Sequence, residues 1–231
     1  MRRILILLIS ASLLLALILV KSDVNTPGEF DPLASARSNP AGQWVGSNER
    51  LYLLHGITVT FDYQLSYEDK KEWIALLQTS LELLPPDLIQ KLDGLLISFN
   101  TGNTCREENF LGCFYYRSFA IYIGTQKFKD PTNVIAVTLH ELGHAIDHRL
   151  APGRAMFQGL RQNRSFPTAY AKTNALEDFA ESFFMYIMYP EYLKKHATAR
   201  YRFLKNNVFN GFEYKNSYPL TVFLRIKLHL K

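Results

Sequence analysis

Two histidines and a glutamate near the middle of the chain, His140, Glu141 and His144, follow the pattern H-E-x-x-H. If the segment is helical, the two imidazoles lie one turn apart on the same side and can share one metal ion. The pattern is typical of zinc sites in which the glutamate is the general base for a water on the metal. The alternative is two ordinary surface histidines, because so short a pattern also arises by chance.

The residues around this pattern predict an amphipathic helix. Asp130 suits the N-cap and Pro131 the first helical position. At about 100° per residue, one narrow apolar stripe collects Ile135, Leu139, Leu142, Ile146 and Leu150. The histidines lie on the opposite side, so the helix can bury one face and keep the other for chemistry.

A second predicted helix, from Thr173 to about Tyr189, offers the third protein ligand that a catalytic zinc site normally requires. Glu177 and Glu181 lie one turn apart on one of its faces. Two glutamates at this spacing repel each other mildly if both are merely solvated. The repulsion disappears if Glu177 binds the metal and Glu181 accepts the outer N–H of a ligating histidine. The alternative, a solvated helix face, is disfavoured by the H-E-x-x-H pattern upstream.

Together the two segments resemble the catalytic domain of anthrax lethal factor and the secreted bacterial Pro-Pro endopeptidases. The resemblance rests on HELGHAIDH at 140–148 and YAKTNALEDFAESF at 170–183, and it covers about Tyr115 to Asn206. It implies that one zinc ion is bound by His140, His144 and Glu177 and that Glu141 is the base. It also implies that Tyr170 stabilises an oxyanion in the cleft, although taken alone Tyr170 would more often be a tyrosine packed on a surface loop.

Two departures separate the chain from the Pro-Pro enzymes. In those proteins a glutamate directly precedes the metal-binding glutamate, whereas this chain has Leu176. Their loop before the edge strand carries a tryptophan, and 100–114 has none here. The metal chemistry therefore transfers with the resemblance, whereas cleavage between two prolines does not.

The remaining pattern predicts an α+β fold with a small mixed sheet, which by the resemblance is a zincin-like metallopeptidase domain. Leu51–Leu54 and Ile57–Phe61 read as strands with a bend at Gly56, and Gly94–Asn100 as another. Ser66 caps a helix to about Leu84. Tyr115–Gly124 is predicted as one strand before the metal helix, either the sheet edge at the active site or an interior strand. Residues 152–167 are predicted as a loop, 190–206 as a helix, and the alternating C-terminal residues 225–231 as a strand.

The two cysteines, Cys105 and Cys113, lie in a loop containing Gly and Asn. In an exported protein they are expected to form a disulfide that closes this loop, and two free thiols are the alternative. The formal charge is +5, and Arg2 and Arg3 account for two of these charges. So mild a charge, without a basic stripe interleaved with aromatic residues, argues against nucleic acid as a partner.

The N-terminus predicts export. Arg2 and Arg3 are followed by a charge-free, mainly apolar run from Ile4 to Val20, which is typical of a signal peptide or a signal anchor. We therefore expect a leader at 1–22, a Pro-, Ser- and Asn-rich linker or arm at 23–49, and a metallopeptidase domain at 50–231 with its catalytic core at about 115–206. The protein would be secreted or anchored at the outer face of the cytoplasmic membrane, contacting the membrane only through an uncleaved leader.

These inferences converge on an exported zinc endopeptidase that acts on protein or peptide substrates. Proline-containing substrates are one candidate class. A cell-surface binding module that keeps the fold and the zinc without turnover is a second hypothesis, and the intact set of candidate residues argues against it. A third is zinc-dependent hydrolysis of another bond, which only the resemblance and the candidate edge strand disfavour.

Overall fold

Six strands form one mixed sheet in the computed structural model, which describes residues 42–46, 48–102, 105, 110–128 and 133–214. They are β1 (Gln43–Val45), β2 (Leu51–Leu54), β3 (Ile57–Phe61), β4 (Leu96–Asn100), β5 (Gly112–Tyr115) and β6 (Ala120–Gly124). Their order across the sheet is β1-β2-β3-β4-β6-β5. The β3–β4 and β4–β6 pairs are parallel and the other pairs antiparallel, so the predicted mixed sheet is confirmed.

Seven α-helices accompany the sheet within the described residues. They are α1 (Tyr67–Glu82), α2 (Pro86–Gln90), α3 (Asn133–Arg149), α4 (Ala151–Gly159), α5 (Ala175–Met188), α6 (Pro190–His196) and α7 (Thr198–Asn207). Helix α3 packs against β5 and β6 and contacts both α1 and α5. The predicted α+β class is confirmed. None of the helices in the described residues combines the length and the apolar character that a membrane span requires.

Local sequence signals explain the first half of the fold. Ser66 and Asp69 form a capping box at the start of α1, which satisfies backbone N–H groups that the helix itself cannot. His55 and Gly56 have φ values of +51° and +77° in the tight β2–β3 turn, a conformation that glycine adopts without steric cost. The strands predicted on either side of Gly56 are confirmed.

The apolar faces of α1 and α3 lie in the core, and the second of them is the stripe predicted from the sequence. The α1 face is buried at Trp73, Leu76, Leu77 and Leu81, and the α3 stripe at Ile135, Leu139, Leu142 and Ile146. Leu150 is half-buried and lies just beyond the end of α3. The ring of Trp73 stacks on that of Phe99, with centroids 5.7 Å apart. The buried face of α1 thereby packs on the centre of the sheet.

The strand predicted over Tyr115–Gly124 is wrong in its extent. The structure has a hairpin instead, in which β5 and β6 are antiparallel and Phe119 in the turn has a φ of +47°. Strand β6 lies in the interior of the sheet between β4 and β5, and β5 forms the edge. The turn at 116–119 contains no glycine or proline. The sequence pattern therefore contains no signal that separates the two strands.

Three further segments differ from expectation. Residues 151–159, predicted as part of a loop, form α4 because Phe157 is buried between Phe179 and Phe203, with ring centroids 5.0 and 5.2 Å away. The helix predicted over 190–206 is broken at Ala197, whose φ and ψ of −141° and 53° are not helical. Residues 43–45, predicted within a linker, pair with β2. The predictions for Asp130, Pro131, 1–41 and 225–231 lie outside the described residues.

Helices α3 and α5 approach each other closely at a glycine. A Cβ atom on Gly143 would lie 2.9 Å from Ala180 Cα and 3.3 Å from both Ala180 O and Phe183 Cβ. Two of these three atoms belong to the α5 backbone, which cannot move aside as a flexible side chain can. The crossing therefore requires glycine at position 143.

Replacing Gly143 with alanine should lower the free energy of unfolding by about 1–3 kcal/mol, because the added methyl group overpacks a helix crossing. Gly159 is the matched control, since it is also helical and a Cβ there would meet nothing within 4 Å. Gly159→Ala should be neutral or stabilise by roughly 0.5–1 kcal/mol. Urea unfolding of both variants checks the sign. A Gly143→Ala protein as stable as the parent would contradict the close approach.

Candidate metal centre

Helices α3 and α5 bring His140, His144 and Glu177 together. Glu177 Oε2 lies 3.0 Å from His140 Nε2 and 3.4 Å from His144 Nε2. Each of the three residues offers one potential ligand atom, and these three atoms lie within 4.8 Å of one another. Among the described residues, this is the group of three or more His, Cys, Asp or Glu side chains with such an arrangement. His144 is buried, while His140 and Glu177 are partly accessible. Three residues from two segments far apart in sequence thus face one point.

Asn174 fixes the start of the helix that carries the glutamate. Its Oδ1 accepts hydrogen bonds from the backbone N–H groups of Leu176 and Glu177, at 2.8 and 3.0 Å. The helix begins after this N-cap and not at Thr173, where the sequence analysis placed its start. Asparagine is among the most favoured N-cap residues, and Glu177 in the first turn also interacts favourably with the helix dipole.

Glu181 lies behind His140, one turn after Glu177 on the same helix. Its Oε1 is 2.9 Å from His140 Nδ1, and its Oε2 accepts a hydrogen bond from the Thr168 hydroxyl at 2.6 Å. Thr168 in turn accepts one from the Ala171 backbone N–H at 3.1 Å. The carboxylate is therefore held at both oxygens, which fixes the orientation of the His140 ring.

His140 lies between two carboxylates, one at each ring nitrogen. Burial lowers the pKa of His140, but the hydrogen bonds with Glu177 and Glu181 outweigh burial and raise it to about 10. Burial raises the pKa of Glu177, whereas its contacts with the two imidazoles hold it well below the usual range. A neutral imidazole donates at only one nitrogen. Both contacts can be favourable only if His140 is protonated or if a cation lies on its Nε2 side.

The donor set fits a small divalent metal. Zinc binds imidazole nitrogen and carboxylate oxygen at about 2.0–2.2 Å, so tetrahedral neighbours lie roughly 3.3–3.5 Å apart. The nitrogen-to-oxygen distances of 3.0 and 3.4 Å are close to this spacing. Two neutral imidazoles and one carboxylate leave a fourth position open, as catalytic sites do.

Glu141 faces the centre without belonging to the ligand set. Its side chain is buried, and its Oε2 has no hydrogen-bond partner among the described residues. Burial raises the pKa of Glu141, and the nearby histidines partly counteract this effect. A Cβ on Gly112 of β5 would lie 3.1 Å from the Glu141 Cγ and Oε1 atoms. The edge strand therefore passes directly beside this carboxylate.

Tyr170 lies on the α5 side of the centre, in the short 3₁₀ turn Tyr170–Lys172. Its ring centroid is 5.8 Å from that of His140, and the carboxylates of Glu177, Glu141 and Glu181 are near enough to affect its hydroxyl. Burial and the neighbouring carboxylates raise the pKa of Tyr170. Its hydroxyl is thus a proton donor at neutral pH.

Three residues at the centre escaped the sequence analysis: Thr168, Phe114 and Tyr116. The Phe114 ring stacks on His144 with centroids 6.5 Å apart, and the Tyr116 ring lies at the same distance edge-on. The aromatic composition of residues 114–119 was the only sequence signal for these two rings beside His144. For Thr168, whose partner is 13 residues away, no local pattern gave a signal.

Cys105 and Cys113 form a disulfide, with Cα atoms 5.9 Å apart. This confirms the predicted bridge and excludes the alternative of two free thiols. Because Cys113 lies in β5, the bridge ties the preceding loop to the edge strand and not merely to itself.

Thr168→Val should weaken binding of a divalent cation such as zinc about tenfold, at the lower end of the effect of losing an outer-shell partner. The variant leaves Glu181 Oε2 without its donor, whereas Thr168→Ser retains the hydroxyl and should bind as the parent does. Thr173→Val, at an exposed position, controls for loss of a hydroxyl elsewhere. Competition with a chelator of known affinity measures the change. Equal affinity of the valine and serine variants would show that the Thr168 contact does not orient the centre.

Comparison with known proteins finds a family model that is similar to the part of the chain containing the centre. The family model described as "Anthrax toxin lethal factor, N- and C-terminal domain" matches residues 98–207, which include His140, Glu141, His144, Tyr170 and Glu177. No curated protein matches the chain significantly. The match confirms the resemblance to lethal factor that the sequence motifs indicate, over residues 98–207.

Proposed function

We propose that the chain is an exported zinc-dependent endopeptidase with a zincin-like fold. The observation that supports it most is the convergence of His140, His144 and Glu177 beside a buried carboxylate, Glu141, that is not part of the ligand set. A purely structural metal site has no need of such a carboxylate and normally fills all four positions with protein ligands. The lethal factor-like match over 98–207 agrees with a link to proteases.

The ligands would be His140 Nε2, His144 Nε2 and the Glu177 carboxylate. When bound there, zinc supplies a Lewis acid that polarises a carbonyl and lowers the pKa of a bound water towards about 7. Glu181 would orient the first ligand. It accepts a hydrogen bond from the Nδ1–H group of His140, which leaves the Nε2 lone pair of His140 facing the metal.

Glu141 is the proton carrier. Its carboxylate accepts a proton from the attacking water and passes it to the leaving nitrogen, which makes it base and then acid. Burial raises the pKa of Glu141 towards neutral pH. A general acid–base group works best when its pKa lies near the operating pH, so both proton transfers become efficient. The adjacent β5 backbone at Gly112 helps to exclude competing solvent from this side.

Tyr170 stabilises the negative charge that develops on the substrate carbonyl oxygen. Its hydroxyl, next to Glu177, donates a hydrogen bond to the oxygen of the carbonyl under attack as negative charge develops.

The substrate is a protein or peptide. Strand β5 is the edge of the sheet, pairs only with β6 among the described strands, and runs beside Glu141 and His144. An extended peptide can add to such an edge through main-chain hydrogen bonds. Because Leu176 and the tryptophan-free loop at 100–114 depart from the Pro-Pro enzymes, the proposal does not include cleavage between two prolines. Export is proposed from the leader at 1–22, the segment through which any membrane contact would occur.

Glu141→Gln should retain its metal and lose peptide cleavage by at least a hundredfold, because an amide cannot accept the proton. The exposed Glu82 on α1 provides the matched control, and Glu82→Gln should cleave as the parent does. Digestion of a peptide library, with and without chelator, measures activity, and elemental analysis measures bound metal. Full activity of Glu141→Gln would remove Glu141 from the mechanism. A metal-loaded parent that cleaves nothing would favour the non-catalytic binding module.

Metal binding should release a proton and strengthen as pH rises. At pH 7 His140, whose pKa is raised to about 10, carries a proton that the metal must displace. Glu177, whose pKa is lowered, is already ionised and releases none. The affinity should therefore rise up to about tenfold per pH unit through the neutral range for one released proton. Calorimetry in buffers of different ionisation enthalpy counts the protons. Zero release at pH 7 would contradict the carboxylate-paired state of His140.

A further inference from the structure

A buried ion pair joins α5 to α7 behind the metal centre. Asp178 and Arg200 are both fully buried, and their side chains form a two-pronged contact with both nitrogen-to-oxygen distances at 2.7 Å. Asp178 directly follows Glu177, so its side chain leaves the helix on a different face. Of these two adjacent residues of α5, Glu177 faces the metal centre and Asp178 faces the ion pair.

Both arginines near Asp178 also bind the segment that leads into α5. Arg200 donates to the backbone carbonyls of Ser165 and Asn163, at 3.1 and 3.4 Å. Arg161 donates to the carbonyls of Ala171, Lys172 and Asn174, at 3.1, 2.9 and 2.7 Å, and reaches Asp178 at 3.4 Å.

The ring of Phe166 completes the arrangement. The guanidinium carbon of Arg161 lies 5.0 Å from the ring centroid and that of Arg200 lies 4.5 Å from it, within the range of cation–π attraction. The segment 163–174 is thus held at the carbonyls of five residues and at one ring. Thr168 and Tyr170 lie between those anchor points.

We propose that Arg161 and Arg200, held by Asp178, are positioning residues that set Tyr170 and Thr168 in register with Glu177 and Glu181. The segment has little regular structure of its own beyond the 3₁₀ turn Tyr170–Lys172, so its conformation depends on the side chains that hold its carbonyls. Arg161 spans the carbonyls from Ala171 to Asn174, the stretch that separates Tyr170 from the α5 N-cap. A planar fork of five N–H donors can hold several carbonyls at once, which a lysine cannot.

This inference rests on the proposed function for its kinetic test and on position alone for its structural test. Arg161 is the residue to change, because its side chain is partly exposed and its loss spares the Asp178–Arg200 pair. At saturating zinc, Arg161→Met should lower kcat roughly a hundredfold, as small misplacements of catalytic groups do, with KM within about twofold of the parent. Zinc affinity should fall by up to about tenfold, as in Thr168→Val, because Thr168 belongs to the segment that Arg161 holds. Arg161→Lys should fail to restore kcat. Arg164→Met, an exposed arginine of the same segment, is the control and should match the parent.

A double-mutant cycle separates positioning from general damage. In a Tyr170→Phe background at saturating zinc, Arg161→Met should cause little further loss of kcat, because Tyr170, the group through which Arg161 acts on turnover, has already lost its hydroxyl. Equal fold losses in both backgrounds, or unchanged kcat in Arg161→Met, would overturn the proposal.

A structural readout decides the matter if no variant and no parent protein cleaves peptides. With 3-fluorotyrosine placed at position 170, the fluorine resonance should shift or broaden in Arg161→Met and stay in place in Arg164→Met. An unchanged resonance in Arg161→Met would overturn the positioning role. A shifted resonance in an inactive protein would support it and would locate the failure in the proposed function.

Discussion

The close crossing of α3 and α5 is the constraint on which the centre depends. Gly143 lies within the H-E-x-x-H segment, and the space above it is filled by the α5 backbone at Ala180. His140 and His144 flank the crossing on α3, and Glu177 and Glu181 flank it on α5. A wider separation would move the glutamates away from the imidazoles by about as much as the helices part. The distances of 2.9 to 3.4 Å between these groups leave no room for that.

The same crossing concentrates charge. Three carboxylates, from Glu141, Glu177 and Glu181, share a partly buried site with two imidazoles. Like charges held this close in a poorly solvated place are unfavourable unless positive charge compensates them. In the metal-free protein the proton on His140 supplies part of that compensation, which is why its pKa is raised despite burial. A divalent cation at the same place would supply more, and on binding it would displace that proton and leave His140 as a neutral ligand.

Local signals in the sequence predicted the centre better than its surroundings. The pairs His140–His144 and Glu177–Glu181 each lie one helical turn apart, so a single period reveals which side chains share a face. Ser66 and Gly56 likewise act on their nearest neighbours and were read directly, whereas the Asn174 N-cap was missed by one residue. The division of Tyr115–Gly124 into a hairpin depends on sheet pairing between distant strands, and α4 depends on the burial of Phe157 against distant rings. Such contacts leave no period in the chain, and neither Thr168 nor Arg200 could be linked to the centre without coordinates.

The residues of β5 that contact the centre and the cysteine that forms the disulfide lie on opposite faces of the strand. Gly112 and Phe114 face α3, where they meet Glu141 and His144. Successive residues of a strand point to opposite faces, and Tyr115 accordingly packs its ring against Tyr122, with centroids 5.3 Å apart. Cys113 lies on that second face, opposite the centre, and carries the bridge to Cys105. The disulfide therefore holds the edge strand from behind, so its influence on the centre must pass through the position of the strand and not through contact with the metal-facing side chains.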